Sequence, residues 1–117
     1  FHGTAAATVP LIIQQGFNRT FAGKNAGVFG KGVYFARNSS YSSNTTYSPP
    51  DSQGVQQMFL CRVLSGHTCL GHNGQLVPDI RDVDRHILYD CTTNHDKTIY
   101  VTYNDSQQYP EYLIRFK

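Results

Sequence analysis

The chain has 117 residues, 39% of them hydrophobic and 15% charged, with a formal net charge of +2. That length supports one domain, residues 1–117, around a single modest core, and leaves too little chain for two. The weak, dispersed charge offers no broad basic field to nucleic acid, and the longest apolar run, residues 9–13, is far too short to span a bilayer. A soluble protein with no membrane partner is expected.

Three cysteines, Cys61, Cys69 and Cys91, cannot all pair with one another, and none stands in a Cys-x-x-Cys arrangement. Reduced thiols in the cytoplasm or nucleus fit this usage. Asn-x-Ser/Thr triplets at Asn18, Asn38, Asn44 and Asn104 matter only in a secreted chain, and no signal-like opening supports secretion.

In chain order, Thr8 before Val9 and Pro10 predicts a helix N-cap with proline in the first turn. The helix runs through Leu11, Ile12 and Ile13 and stops at Gly16. Residues 17–32 are rich in glycine and asparagine and read as a long loop, of a length often tied to function. Residues 33–36 form a short strand, followed by a Ser/Asn/Thr/Tyr segment that ends at Pro49-Pro50. A buried strand is expected at 58–64, after a turn at Gln53-Gly54. Residues 66–85 carry turn residues without a period, and further strands are expected at 87–89, 98–103 and 112–116. Strands that outnumber helices and do not alternate with them predict an α+β fold with largely antiparallel sheet.

Four groups of residues invite a chemical reading. Gly30-Lys31-Gly32 evokes a phosphate-binding loop, but that loop needs a glycine where Asn25 stands, a hydroxyl where Gly32 stands, and a helix after it. A flexible turn is the simpler account. Cys61, His67, Cys69 and His72 are metal-capable, yet their spacing matches no standard zinc module, so a buried thiol and surface histidines are expected. His2-Gly3-Thr4 combines a ring donor, a glycine that permits close backbone approach, and a hydroxyl. Tyr34, Tyr41 and Tyr47 crowd around Ser42, where two rings could hold a planar ligand or simply pack.

Taken together, Phe-His-Gly-Thr at 1–4, Gly-Phe-Asn-Arg at 16–19, Ala-Gly-Lys-Asn-Ala at 22–26, Gly-Lys-Gly-Val-Tyr-Phe-Ala at 30–36 and Tyr-Pro-Glu-Tyr-Leu-Ile at 109–114 resemble the catalytic domain of the PARP family of ADP-ribosyltransferases. The likeness is to its mono-ADP-ribosylating, macrodomain-associated branch. It implies a diphtheria-toxin-like α+β fold of mainly antiparallel mixed sheets with few short helices, of which this chain is the carboxy-terminal portion. It also implies NAD as co-substrate, protein acceptors and no metal.

By that resemblance His2 bonds the adenine-side ribose with Thr4 as a second partner, and Gly3 offers its backbone to the nicotinamide carboxamide, joined by the Ser42 hydroxyl. Tyr34 and Tyr47 enclose the nicotinamide ring, Tyr47 by stacking, and a loop from Asn18 to about Phe29 covers the donor. The family's polymerising members add a glutamate at the start of the penultimate strand, which here reads Thr98-Ile99-Tyr100-Val101. The third member is therefore Ile99, and Glu111 belongs to the final strand. Isoleucine can neither bond a ribose hydroxyl nor take a proton, so transfer of single ADP-ribose units to a protein side chain is expected, with the acceptor's own carboxylate as activating group. A module that binds NAD or ADP-ribose, or a protein surface, without turnover is the alternative, and the charge gives little help to an RNA-associated role.

Overall fold

The computed structural model describes residues 1–17 and 27–117. Strand β1 (His2–Thr4) leads through a 3-10 turn at Ala6–Thr8 into helix α1 (Val9–Gln15). Strand β2 (Val33–Ala36), a single-turn helix α2 (Ser39–Ser42) and strand β3 (Gln56–Val63) follow. The remaining strands are β4 (Thr68–Leu70), β5 (Ile80–Asp82), β6 (Ile87–Leu88), β7 (Cys91–Thr93), β8 (Ile99–Thr102) and β9 (Gln108–Phe116).

These strands form a three-stranded sheet in the order β1-β3-β9, a four-stranded sheet in the order β2-β8-β7-β4, and the β5-β6 hairpin. Every pairing among them is antiparallel except β4 with β7. The expected α+β class with largely antiparallel sheet is what the chain adopts.

Strand β2 organises the interior because all four of its residues are buried. Successive strand residues point to opposite faces, so Val33 and Phe35 enter one apolar cluster while Tyr34 and Ala36 enter another. The first cluster adds Val9 and Ile12 from α1, then Phe17 and Phe59. The second adds Ile99, Val101 and Tyr103 along β8 and beyond it. Full burial of side chains of this size contributes about 1.5–3 kcal/mol each, which makes β2 a costly place to introduce polarity.

Several local expectations are corrected. Thr8 makes no side-chain capping bond: it lies in helical conformation because the 3-10 turn runs straight into α1, with the Thr8 N–H donating to the Ala5 carbonyl at 3.0 Å. The polar segment after β2 holds helix α2, and residues 66–85 hold β4 and β5. Three-residue strands are too short to display an alternation, so β1, β4, β5 and β7 leave no pattern in the sequence. β9 reaches back to Gln108 and includes Pro110, which stands opposite Cys61 at a register irregularity. β9 is an edge strand, where a residue lacking an N–H is tolerated.

Candidate nucleotide site

The site begins where β1 leaves β2. The Phe1 nitrogen donates to the Ala36 carbonyl at 2.6 Å and the Ala36 N–H donates to the Phe1 carbonyl at 2.8 Å. Beyond that pair the strands part, and the His2 side chain spans the gap: its Nδ1 lies 2.7 Å from the Tyr34 carbonyl oxygen. The ring packs edge-on to Phe17 at a centroid distance of 4.9 Å and tilts against Phe35 at 5.5 Å.

Burial among these rings lowers the His2 pKa to about 4, against the raising effect of the carbonyl bond. The imidazole is therefore neutral at physiological pH. A carbonyl only accepts, so Nδ1 carries the proton and Nε2 is left as an acceptor, suited to a hydroxyl.

Strand alternation determines what Gly3 offers. The N–H and C=O of Phe1 face β2, away from β3, and those of Gly3, two residues on, face the same way. Gly3 stands opposite Met58 on β3, so this outward edge lies where β2 has already diverged. A Cβ on Gly3 would collide with the Ser48 Oγ and the Ser42 carbonyl, and would lie 3.1 Å from the Tyr47 carbonyl carbon. Only glycine lets β1 approach the α2 segment this closely.

That segment is fixed in turn. The Ser48 hydroxyl donates to the Ser42 carbonyl at 2.5 Å, and Gln56 Nε2 donates to the carbonyls of Ser43 and Ser48, both at 2.8 Å. Ser42 is buried at the end of α2. Tyr47 presents one face to Tyr41, with ring centroids 4.7 Å apart at 19°, and the Tyr41 hydroxyl donates to the Tyr47 hydroxyl at 2.9 Å. Burial, then this bond, raises the Tyr41 pKa. The expected stacking surface on Tyr47 is thus reduced to the face turned away from Tyr41.

Tyr34 is buried, and its hydroxyl is committed to the backbone: it accepts from the Phe29 N–H and donates to the Gly30 carbonyl, each at 2.8 Å. Burial raises its pKa, with the neighbouring Tyr47 adding to the effect and the Phe29 N–H opposing it. With its one proton engaged, the Tyr34 hydroxyl has none left to donate. Gly30 sits at φ 127°, in the region that favours glycine, and the Tyr103 hydroxyl lies where its Cβ would be.

Ile99 opens β8 opposite Ala36 and is buried against Tyr34, Ala36, Val101 and Tyr103. Asn94 fixes the start of that strand, its Oδ1 accepting from the N–H groups of Thr98 and Ile99 at 2.9 and 3.0 Å. Glu111 stands apart on β9, paired with Arg62 across an exposed surface at 2.8 Å. Thr4 is buried opposite Gln57, and Asn18 lies outside the described residues.

The structure thus brings His2, Gly3, Ser42 and Tyr47 together, with Tyr34 alongside through the Tyr34–His2 contact and Ile99 packed behind it. The four metal-capable residues stay dispersed: Cys61 packs against the first apolar cluster, His72 lies 3.8 Å from Asp79, and no group of three potential ligands gathers among the described residues. Sequence reasoning counted Tyr41 among the rings around Ser42 but not as the stacking partner of Tyr47, and it missed Thr92 and Tyr103, whose hydroxyls lie beside Phe29. Nothing local marks those two, because their partner is more than 60 residues away.

A neutral histidine, a strand edge and a tyrosine face thus follow one another along the chain in the order that the sequence resemblance implies. The sequence profile of the Poly(ADP-ribose) polymerase catalytic domain matches residues 1–72, and the chain belongs to that family. Among its relatives are human protein mono-ADP-ribosyltransferase PARP14, 45% identical over the whole chain, and mouse protein mono-ADP-ribosyltransferase PARP10, 36% identical over the whole chain. Mouse protein mono-ADP-ribosyltransferase PARP12 is 39% identical over 99% of it. The chain spans 7%, 12% and 16% of these three relatives' lengths.

Proposed function

We propose that this chain carries the donor site of a protein mono-ADP-ribosyltransferase, with NAD as co-substrate and no metal. The observation that carries the reading is the apposition of Gly3 to Ser42 and Tyr47 beside a neutral His2. The residues fit NAD: Nε2 of His2 accepts from a ribose hydroxyl, with Thr4 next to it, and the outward edge of Gly3 receives a carboxamide that the Ser42 hydroxyl also bonds. The free face of Tyr47 stacks on the nicotinamide, with Tyr34 as the facing wall.

In the reaction the bond between nicotinamide nitrogen and ribose carbon breaks, its electron pair leaving with nicotinamide, while an acceptor oxygen forms the new bond to that carbon. Orientation of the donor and bonds to the leaving carboxamide lower a barrier of oxocarbenium character. Ile99 supplies no base, so the acceptor's own carboxylate serves as the activating group, and protein is the acceptor class. The free thiols support a reducing compartment, cytoplasm or nucleus.

The test is incubation of the full chain with NAD labelled in its adenylate half and a mixture of candidate proteins. Release of nicotinamide with one ADP-ribose per modified site is expected, and Glu111→Gln retains it. Binding of NAD without release of nicotinamide would identify a binding module instead. Loss of transfer in Glu111→Gln with NAD binding intact would overturn the assignment of Ile99, and multi-unit chains would overturn the mono-transfer reading.

A further inference from the structure

We infer that Thr92 and Tyr103 are positioning residues for the nicotinamide wall: by fixing Phe29, whose N–H bonds the Tyr34 hydroxyl, they hold the Tyr34 ring in place. The inference rests on the donor-site reading above. Thr92 Oγ1 donates to the Phe29 carbonyl at 2.7 Å and lies 2.7 Å from the Tyr103 hydroxyl. Threonine has one hydroxyl proton, already given to Phe29, so it is Tyr103 that donates to Thr92. The longer 3.5 Å approach of the Tyr103 hydroxyl to the Phe29 carbonyl is secondary to that bond.

On the other side of the same residue, the Phe29 N–H donates to the Tyr34 hydroxyl, which donates to the Gly30 carbonyl. A series results in two halves joined through the Phe29 α-carbon: Tyr103 to Thr92 to the Phe29 carbonyl, and the Phe29 N–H to Tyr34 to the Gly30 carbonyl. Thr92 is fully buried, and Tyr103 and Tyr34 are 5% and 8% exposed, so water cannot replace a lost member freely. Removing the Thr92 hydroxyl takes the 2.7 Å donor from the partly buried Phe29 carbonyl and loosens the residue whose N–H holds the Tyr34 hydroxyl.

The adenine-side ribose meets His2, which among the described residues is tied to this series through the Tyr34 backbone carbonyl and not its hydroxyl. The series should therefore act on the nicotinamide end of the donor more than on the adenosine end. The test is titration calorimetry of the full chain with nicotinamide and, separately, with ADP-ribose, at a temperature where every variant is folded. Thr92→Val is expected to weaken nicotinamide about tenfold and ADP-ribose by less than about twofold. Thr92→Ser, which keeps the hydroxyl, restores the wild-type value.

Unchanged nicotinamide affinity in Thr92→Val overturns the inference, as does an equal loss for both ligands. Should Thr92→Val fail to fold, Tyr103→Phe carries the same comparison, with a nicotinamide loss of about threefold expected and no loss overturning the claim. A wild-type chain that binds neither ligand overturns the donor-site reading itself.

Discussion

His2 shows how one side chain ties burial to chemistry. Its ring is held by two phenylalanines and a backbone carbonyl, so it takes a proton only near pH 4, whereas in the unfolded chain it does so near 6.5. Above pH 6.5 both states are neutral at this residue and it contributes no pH dependence. As pH falls from 6.5 toward 4, the unfolded state gains a proton that the native state refuses, and stability declines; below 4 both are protonated and the decline stops. The full effect is at most about 3 kcal/mol. Denaturant unfolding across this range is expected to show a slope in the wild type that His2→Gln flattens, most clearly between pH 6.5 and 5. An identical slope in both proteins would assign the pH dependence elsewhere.

At the scale of elements, the turn that leads into β2 is clamped by a loop some 40 residues later. The Gly74 N–H donates to the Gly27 carbonyl at 2.8 Å and the Lys31 N–H to the Gln75 carbonyl at 2.7 Å. Gly71 lies so close that a Cβ there would overlap the Phe29 backbone. Backbone cannot yield as a flexible side chain does, so Gly71→Ala is expected to cost about 1–3 kcal/mol in denaturant unfolding. It also displaces Phe29, and nicotinamide binding falls with it. Gly74→Ala is the contrast: Gly74 has φ 78° and open space around its Cβ position, so the variant costs about 1 kcal/mol of backbone strain without pushing Phe29. If both variants bind nicotinamide equally, the clamp has no bearing on the site. The exposed Lys31 side chain that evokes a phosphate loop is, structurally, part of this turn and not of a cradle.

Over the whole molecule packing shields the three thiols to different degrees, Cys91 fully and Cys61 and Cys69 in part. Burial pushes Cys61 and Cys91 up to about 12 and raises Cys69 as well. Cys91 is fully buried and receives the Gln107 Nε2 at 3.1 Å, while Gln107 also bonds the carbonyls of Leu64 and Asp90 and so joins the two larger sheets' connecting segments. A shift of about three pH units reduces the thiolate fraction roughly a thousandfold. At pH 8, mass spectrometry after iodoacetamide treatment is expected to find Cys91 unmodified in the native protein and all three cysteines modified once it is unfolded. Native labelling of Cys91 as fast as of Cys69 would contradict this packing.

Much of this molecule was legible before any fold was known. The apolar run at 33–36, the glycines before it, the helix at 9–15 and the odd cysteine count each follow from local rules of periodicity, backbone freedom and pairing. The ordered motifs likewise pointed to the family, and the roles proposed for His2, Tyr34 and Ile99 rest on that resemblance. What the linear order could not contain were distances between residues far apart in sequence. The nearness of Gly3 to Ser42 and Ser48, the stacking of Tyr47 on Tyr41, and the hold of Thr92 on Phe29 all arise from how the strands pair. Local propensity sets which residues form a strand or turn, but the protonation of His2 and the commitment of the Tyr34 hydroxyl depend on partners that only tertiary packing brings within reach, at a separation of 32 residues for the first and in a buried interior for the second.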